Sequence, residues 1–330
     1  MTPNSRPFPR LTMDLGRIRA NAARMMHDCH ERGIEVMGVT KGVCGDVHVA
    51  RALVESGVTT LGDARLDNLA SLRKAGLGVG LWLLRAPSPN EAADCVALAD
   101  GSLQSDLETL GLVAAEAQRQ HKPHHVLVTV DLETGREGVH RDDVPAICAR
   151  ARALDGLELD GLAIYFDFKC TPEERRGALH TFAELARTVS LPLRVVSGGA
   201  SNVLELALDN TLPRGINHLR LGTAPLLGLF TSHGPRPIEG WERDTFIAEA
   251  EVLEVKRDRA EALLALGHVD APMDSLYPAT PGVELLRQSS DQTVVRFTER
   301  LAVSDVVPFR LGYTALTRLT NSRYTRIVYI

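Results

Sequence analysis

The stretch EVMGVTKGVC, residues 35–44, joins a short run of apolar and β-branched residues to a lysine that follows it directly. Short runs of this kind are typical of buried β-strands. Eight of them occur before residue 222, near Glu35–Thr40, Val58–Gly62, Gly80–Leu84, Gly101–Gln104, Val126–Leu132, Gly161–Tyr165, Arg194–Ser197 and Asn217–Leu221.

Longer segments separate these runs, and their apolar residues recur at spacings of three and four, as in amphipathic helices. Examples are Asp14–Arg32, Leu107–Gln120, Pro172–Arg187 and Ser201–Leu208. The alternation predicts βα units around a parallel sheet. Because there are eight units, we expect an α/β fold of the TIM type, a closed (β/α)8 barrel, rather than an open sheet.

The pattern changes after Pro235, where shorter candidate strands follow one another with turn residues between them and no long helix. They are Asp244–Lys256, Glu261–Leu266, Val283–Arg287, Thr293–Phe297 and Val306–Arg310. Thr231–Gly240 carries two prolines and two glycines and is a candidate linker. We therefore expect a barrel over residues 12–235 and a smaller all-β domain over 236–330, with residues 1–11 as a further candidate part of it.

Length and composition fit this division. A chain of 330 residues favours about two domains. The net charge of -5 argues against nucleic acid as a partner. No apolar run is long enough for a membrane span, and Met1–Arg10 lacks the apolar segment of a signal peptide. We expect a cytoplasmic protein with reduced thiols, since the five cysteines form no Cys-x-x-Cys pair. The cluster His121, His124 and His125 lacks carboxylates at metal-ligand spacing, so no metal is expected.

Lys41 is the first candidate for chemistry. Catalytic groups of α/β barrels gather at the carboxyl ends of the strands, and Lys41 follows such an end. A lysine there can form an imine with an aldehyde. The alternative is that Lys41 is a solvent-exposed cation with no catalytic role.

A second candidate site is the stretch Val195–Asn202, a strand that runs into a glycine pair and a helix start. Small residues expose backbone N–H groups, and Ser197 and Ser201 add hydroxyls, so the stretch is suited to bind a phosphate. The next strand ends in Leu219–Thr223, and loops after strands seven and eight form the recurrent phosphate site of these barrels. The alternative is that Gly198 and Gly199 only form a tight turn.

Several motifs, in this order, resemble the fold-type III enzymes that use pyridoxal 5′-phosphate (PLP), and specifically the alanine racemase superfamily and its ornithine racemase-like branch. They cover nearly the whole chain and comprise Thr12–Leu15 with Ile18 and Asn21, Val39–Cys44, Leu61–Leu69, Ser197–Asn202, Leu219–Thr223 and Pro237–Gly240.

The resemblance implies that Lys41 holds PLP and that Arg220 faces the pyridine nitrogen. It also implies that Ser201, Gly222 and Thr223 contact the phosphate. Ser197, Gly199 and Asn202 belong to the turn suited to a phosphate and are further candidates for cofactor binding, as is Tyr324 near the C-terminus. An arginine keeps its proton at neutral pH, so it would donate to the ring nitrogen and leave that nitrogen unprotonated. The weaker electron sink favours return of the proton to Cα over transamination.

Racemisation needs an acid/base on each face of Cα, and Lys41 can serve one face. In alanine racemases a tyrosine from the partner subunit serves the other face. The matching stretch here, Leu266–Asp270, places His268 at that position, so we hypothesise that His268 or a neighbouring residue supplies the second base in trans. The stretch Gln288–Gln292 resembles a family segment in which an aspartate, here Asp291, lines the substrate pocket of the partner subunit. The alternatives are that His268 is a surface histidine in a turn and that Asp291 caps a turn between two strands.

Further candidates for the substrate pocket are Tyr165, Tyr313 and Arg136. Tyr165 stands where alanine racemases tend to have a histidine, and Arg136 could bind a carboxylate through its planar guanidinium. Tyr313 and Tyr324 could reach into the site, and the alternative is that both rings only pack against the protein. Three carboxylates, Asp63, Glu133 and Asp167, could clamp the distal ammonium of an ornithine-like substrate.

The resemblance thus implies a PLP-dependent racemase of ornithine, alanine or a similar small or basic amino acid, which works as a head-to-tail homodimer. Three alternatives remain. One is a PLP-binding protein without turnover, although single-domain barrels of that kind lack the extension Trp241–Ile330. A second is another fold-type III enzyme, such as a D-amino acid aldolase or a decarboxylase. The third is a barrel enzyme without PLP.

Overall fold

The computed structural model describes residues 8–132, 137–166, 170–232 and 234–330. Its strands are, in chain order, β1 (Arg10–Met13), β2 (Glu35–Val39), β3 (Thr60–Asp63), β4 (Gly80–Leu83), β5 (Gly101–Gln104), β6 (His124–Asp131), β7 (Val139–His140), β8 (Leu157–Ile164), β9 (Val195–Ser197), β10 (His218–Leu221), β11 (Leu229–Phe230), β12 (Arg236–Pro237), β13 (Phe246–Lys256), β14 (Glu261–Leu264), β15 (Leu276–Pro278), β16 (Val283–Gln288), β17 (Thr293–Phe297), β18 (Val306–Leu311) and β19 (Arg326–Tyr329).

The helices, in chain order, are α1 (Leu15–His30), α2 (Val47–Glu55), α3 (Leu66–Lys74), α4 (Ala92–Leu98), α5 (Leu107–Arg119), α6 (Val144–Ala153), α7 (Pro172–Thr188), α8 (Leu204–Leu208), α9 (Thr223–Leu227) and α10 (Tyr313–Asn321). Each helix in the described residues is too short or too polar to cross a membrane.

Eight parallel strands form a closed barrel, in the order β2, β3, β4, β5, β6, β8, β9 and β10, with β10 pairing back to β2. The expected (β/α)8 barrel is therefore confirmed. Each of the eight apolar runs contains a strand. The largest difference is at β8, which begins at Leu157, four residues before the expected start at Gly161.

The interior of the barrel is filled rather than open. Six buried side chains, each from a different strand, meet there and Leu84 packs against them: Met37, Trp82, Leu103, Leu127, Ala163 and Val195. Side chains alternate between the two faces of a strand, so the other buried residues of these strands face the surrounding helices. The plug of apolar side chains gives the cleft at the carboxyl ends of the strands a rigid floor.

The second part of the chain is a sheet in the order β15, β18, β13, β14, β17 and β16. The expected all-β sheet domain is confirmed. β1 also belongs to this sheet, since it pairs antiparallel with β13 and parallel with β19. Thr12 and Met13, which we expected at the start of the barrel, thus lie in the second sheet.

One helix of this region, α10, departs from the expectation of strands alone. Its buried face carries Ala315, Leu316 and Leu319, and the N–H of Ala315 donates a 3.0 Å hydrogen bond to Ser275 Oγ. α10 packs against the Lys41–Val43 turn of the barrel. The helix therefore brings its first residue, Tyr313, to the carboxyl ends of the barrel strands.

Candidate active site

A cleft of about 130 Å³ opens at the carboxyl ends of the barrel strands. The residues that line it come from the ends of β2, β4, β5, β6, β8 and β10, from the connections after β6, β9 and β11, and from α9 and α10. They are Val39, Lys41, Gly42, Leu84, Leu103, Thr129, Glu137, Tyr165, Ala200, Ser201, Asn202, Arg220, Gly222, Thr223, Leu226, Thr231 and Tyr313. The fold thus brings Lys41, Arg220 and the turn after β9 to one place.

Lys41 lies at the mouth of this cleft because β2 ends two residues before it. It is the first residue of a one-turn 3-10 helix, Lys41–Val43, and Cys44 then adopts a left-handed conformation with φ 53° that turns the chain away. Lys41 Nζ lies 6.0 Å from the centre of the Tyr165 ring. An ammonium group at this distance is weakly attracted to the ring face, so Tyr165 helps to hold the amine in the cleft.

Asp63 lies behind Lys41 rather than in the cleft. It is fully buried, and it accepts hydrogen bonds from Thr40 Oγ1, the Arg65 N–H and Asn68 Nδ2. Burial raises the pKa of Asp63, and these hydrogen bonds oppose the rise. Asp63 is not among the lining residues, which argues against the expected role as a clamp for a distal ammonium. The other two carboxylates considered for that role, Glu133 and Asp167, lie outside the described residues.

The guanidinium group of Arg220 is buried and crosses the barrel mouth from β10 to β8. It donates to the backbone carbonyl of Ile164 at 2.8 Å and to Ser197 Oγ at 2.5 Å. Burial lowers the pKa of Arg220 to about 10, and interactions with Tyr165 and Glu137 oppose the change. A pKa of about 10 still leaves Arg220 protonated at neutral pH, so it acts as a donor.

Ser197 also contacts His218, whose Nδ1 lies 2.8 Å from the Ser197 hydroxyl. Burial lowers the pKa of His218 to about 3, and the neighbouring Arg220 lowers it further. The imidazole is therefore neutral, and its Nδ1 can accept the hydroxyl proton of Ser197 while Ser197 Oγ accepts from Arg220. Ser197 is fully buried and outside the lining of the cleft, so it holds Arg220 in place rather than reaching a ligand.

The turn after β9 has the geometry of a small polar cradle. Gly199 has φ 131°, and a Cβ atom there would lie 2.8 Å from Val203 Cγ2. Ser201 Oγ accepts hydrogen bonds from the N–H groups of Gly222, at 3.4 Å, and Ala224, at 3.2 Å. The hydroxyl proton of Ser201 then remains available for a ligand.

Asn202 has a side-chain amide next to Ser201, in the corner of the cleft where a phosphate group would bind. Its Oδ1 atom is buried and has no hydrogen-bond partner among the described residues. A buried polar atom without a partner is costly, and turning the amide by 180° would present its N–H group instead. Asn202, Ser201 and Thr223 line the cleft together, so this corner offers donors suited to a phosphate group, and the residues present fit PLP.

The two C-terminal tyrosines differ in position. Tyr313 lines the cleft, and its ring closes over Gly42, where a Cβ atom would lie 3.0 Å from Tyr313 Cε2. Burial raises the pKa of Tyr313 to about 12. Tyr324 is 66% exposed and its hydroxyl accepts a hydrogen bond from Arg323. Tyr324 thus lies away from the cleft of its own chain, which argues against the expected contact with a phosphate there.

His268 and Asp291 lie side by side on two loops of the second sheet. The His268 N–H donates to the Ser289 carbonyl at 2.9 Å, and Gly267 approaches Asp291 so closely that a Cβ atom would overlap it. The His268 carbonyl accepts from Arg318 of α10 at 2.7 Å. Neither residue lines the cleft of its own chain. Arg136, the expected carboxylate-binding residue, lies outside the described residues.

Glu137 lines the cleft but was not among the candidates from the sequence. It follows Arg136 and lies six residues beyond the end of β6. The only available signal was its position after a barrel strand, which it shares with surface glutamates. Within the part of the chain that the structure describes, no group of three or more His, Cys, Asp or Glu side chains is arranged to bind a metal ion.

Comparisons with known proteins agree on one family. Residues 13–228 match the family model of the alanine racemase N-terminal domain. The chain is 29% identical to the ornithine racemase of Acetoanaerobium sticklandii, over 96% of this chain and 98% of that protein. It is 30% identical to the lysine racemase of Thermotoga maritima, over 98% of each.

Solved structures show the same fold at lower sequence identity. The alanine racemase of E. faecalis is 18% identical with a TM-score of 0.77, over 99% of both chains. The D-threonine aldolase of Filomicrobium marinum is 17% identical with a TM-score of 0.81, over 95% of this chain and 89% of that one. At these identities the likeness concerns the fold, which both a racemase and an aldolase adopt.

Proposed function

Because this chain belongs to the alanine racemase family and is an amino-acid racemase, we propose that it binds PLP through Lys41 and interconverts the L and D forms of ornithine, alanine or a similar small or basic amino acid. One observation carries the proposal: the amine of Lys41, the buried guanidinium of Arg220 and the Ser201–Asn202 turn all open on a single cleft. Two full-length relatives are racemases of ornithine and lysine by name, which supports this class of substrate.

Each group would hold a different part of the cofactor. Ser201, Asn202 and Thr223 would bind the phosphate, Lys41 the aldehyde carbon and Arg220 the ring nitrogen. PLP, when bound, supplies an electron-withdrawing ring that makes the Cα–H of an attached amino acid acidic. Arg220 keeps its own proton at neutral pH, so it would donate to the ring nitrogen of the bound cofactor and leave that nitrogen unprotonated.

Lys41 would take the Cα proton on one face and return it on the same face in the reverse direction. Tyr313 is a poor base, because burial raises the pKa of its hydroxyl to about 12 and keeps it protonated. We propose that His268 of the partner subunit serves the opposite face, with Asp291 of the partner subunit beside it, in a head-to-tail homodimer. The position of His268 and Asp291 together on one loop surface, away from their own cleft, supports this arrangement.

The test of the activity is incubation of the PLP-loaded protein with single amino acids in D2O, followed by NMR for deuterium at Cα and by chiral chromatography. We expect deuterium to enter while both enantiomers form, and Lys41→Ala to lose this exchange together with the visible absorption of the lysine-bound cofactor. Bound PLP without exchange would indicate a carrier instead. Release of CO2 would indicate a decarboxylase.

The second base is tested by mixing two inactive variants. Lys41→Ala and His268→Phe subunits should regain activity when they are co-refolded, because half of the random dimers are mixed and each of those has one native site. We expect up to about a quarter of the wild-type rate. His180→Phe, on the exposed side of α7, is the control and should keep full activity. Activity of the His268→Phe protein alone at the wild-type rate would dispose of His268 as a base.

A further inference from the structure

Three charged side chains line the cleft among the residues that the structure describes, and they are Lys41, Arg220 and Glu137. The two cations have places in the proposed function, whereas the carboxylate of Glu137 has none. It is the one carboxylate in this described lining. A carboxylate that faces the cleft can pair with a cation at the end of a substrate side chain, whereas the methyl side chain of alanine offers it no such contact.

The fold fixes where Glu137 stands. Val139 of β7 pairs with Val130 of β6, and Gly138 lies so close to the backbone of Val130 and Asp131 that a Cβ atom would overlap it. The residue before this anchored pair is Glu137, so it is held at the carboxyl end of β6. Three strands separate β6 from β2 in either direction around the barrel. Glu137 therefore stands on the rim opposite Lys41.

The wall between these two positions suits a hydrocarbon chain. Leu84, Leu103 and Thr129 line the cleft at the ends of β4, β5 and β6, between Lys41 and Glu137. The negative charge of Glu137 also acts on the interior of the cleft, since it raises the pKa of the buried Arg220 against the effect of burial. A substrate attached at Lys41 can thus lay methylene groups along this wall and reach a carboxylate at its far end.

We infer that Glu137 selects amino acids whose side chain ends in a cation, by pairing with the distal ammonium of a substrate that reacts at Lys41. The inference rests on the proposed racemase function and narrows its substrate class to amino acids such as ornithine and lysine. Glu137 is exposed at the rim, so its contribution is that of a partly solvated ion pair rather than a buried one.

The experiment compares substrates that differ only in the distal ammonium, namely lysine with norleucine and ornithine with norvaline. Racemisation by the PLP-loaded wild type and by Glu137→Gln is measured as kcat/KM for each. We expect Glu137→Gln to lower kcat/KM for lysine and ornithine by about fivefold, which corresponds to about 1 kcal/mol, and to leave norleucine and norvaline unchanged. The rise in melting temperature on adding lysine should also shrink, and this readout does not depend on turnover.

Asp142→Asn is the matched control. It removes one negative charge from the same connection, but the Asp142 side chain is 79% exposed and lies outside the cleft lining. We expect no change in the ratio of kcat/KM for lysine and norleucine, whereas Glu137→Lys should reverse the preference.

Two results would overturn the inference while leaving the racemase proposal intact. One is a wild-type enzyme that racemises lysine no better than norleucine. The other is a Glu137→Gln variant that lowers kcat/KM equally for charged and uncharged substrates, or for neither. A wild-type protein that exchanges the Cα proton of no amino acid would overturn both proposals together.

Discussion

The hydroxyl group of Thr40 donates a 2.7 Å hydrogen bond to a carboxylate oxygen of Asp63, and both residues are fully buried. Thr40 immediately precedes Lys41. The other carboxylate oxygen of Asp63 accepts from the Arg65 N–H at 3.0 Å and from Asn68 Nδ2 at 2.9 Å. One carboxylate thus ties the end of β2 to the start of α3, and it fixes the point from which Lys41 enters the cleft.

Asp63→Ala should therefore destabilise the fold and loosen Lys41. The substitution leaves buried donors without acceptors, at a cost of about 2–4 kcal/mol. Asp63→Asn should cost less, because an amide keeps the shape and one acceptor oxygen, and Thr40 can turn its hydroxyl toward the Gly62 carbonyl 3.4 Å away. Urea unfolding and the fraction of bound PLP after dialysis measure the two effects.

Asp258→Ala is the control for Asp63, since the Asp258 side chain is 77% exposed. It should change stability by less than about 0.5 kcal/mol. An Asp63→Ala protein that keeps both the stability and the cofactor retention of the wild type would show that the carboxylate does not position Lys41.

Gly199→Ala should disrupt the turn after β9. The backbone of Gly199 has φ 131°, and an added Cβ atom would lie 2.8 Å from Val203 Cγ2. Strain of this kind costs on the order of 1–3 kcal/mol, and it displaces Ser201 and Asn202. We expect weaker binding of PLP, measured by equilibrium dialysis, together with a lower melting temperature.

Gly177→Ala is the matched control because Gly177 lies inside α7 and an added Cβ atom meets nothing within 4 Å. Alanine favours a helix over glycine by about 1 kcal/mol, so this variant should be as stable as the wild type or more so. Equal PLP affinity in the Gly199→Ala and wild-type proteins would contradict the role assigned to the turn.

The sequence predicted the barrel well because local patterns determine it. Most of the strands are short apolar runs with polar turns around them, so Glu35–Val39 or Gly80–Leu83 can be recognised without knowledge of their neighbours. The positions of Lys41 and Arg220 follow from the same rule, since both lie at carboxyl ends of strands.

Elements whose stability comes from distant contacts could not be predicted in the same way. α10 reads YTALTRLTN, in which three threonines have low helix propensity. It is helical because Leu316 and Leu319 are buried in the core and Ser275 accepts the N–H of Ala315. β1 is too short to reveal its partner, and the structure alone shows its pairing with β13.

The functional side chains that the sequence did not predict also depend on contacts between distant parts of the chain. Glu137 lies in the cleft because β7 pairs with β6, and a two-residue strand leaves no recognisable pattern. Asp63 was one of the carboxylates considered as a clamp for the distal ammonium of a substrate. The side chain instead turns toward Thr40 and Asn68, which the sequence could not show.

Stability should fall as the pH drops below about 6.5, in part because of His218. Burial lowers the pKa of His218 to about 3 in the folded protein, whereas an unfolded histidine titrates near ~6.5. Between these values the unfolded chain binds the extra proton, so acid favours unfolding. We expect His218 alone to contribute a loss of about 2 kcal/mol between pH ~7 and pH ~5.

The measurement is urea unfolding of the wild type and of His218→Asn at both pH values. Asparagine can still accept from Ser197, because its Oδ1 atom is as many bonds from Cβ as the histidine Nδ1 that makes this contact, so the variant folds with a similar contact but without a titrating group. The pH-dependent loss should be smaller in the variant by about 2 kcal/mol, whatever its stability at neutral pH. Identical pH dependence in the two proteins would show that His218 is not held neutral by its burial.

Asn21 should be intolerant of an isosteric change to aspartate. Its side chain is buried in α1 and pairs with both peptide groups of Glu242, as Oδ1 accepts the N–H at 2.7 Å and Nδ2 donates to the carbonyl at 2.8 Å. Nδ2 also donates to the Pro225 carbonyl at 3.2 Å. Asn21→Ala removes these bonds and should cost about 2–4 kcal/mol. Asn21→Asp should cost more at neutral pH, since it sets a carboxylate oxygen against two carbonyl oxygens.

The pH dependence of Asn21→Asp distinguishes repulsion from a packing defect. A carboxyl group in this position can donate a hydrogen bond only when it is protonated, so its pKa in the folded protein should rise above that of the unfolded chain. The deficit relative to Asn21→Ala should then shrink as the pH falls from about 7 to about 5. Asn321→Ala, at the exposed end of α10, is the control. A deficit of Asn21→Asp that is independent of pH would mean that the loss comes from packing and that the amide hydrogen bonds do not join α1 to the chain leaving the barrel.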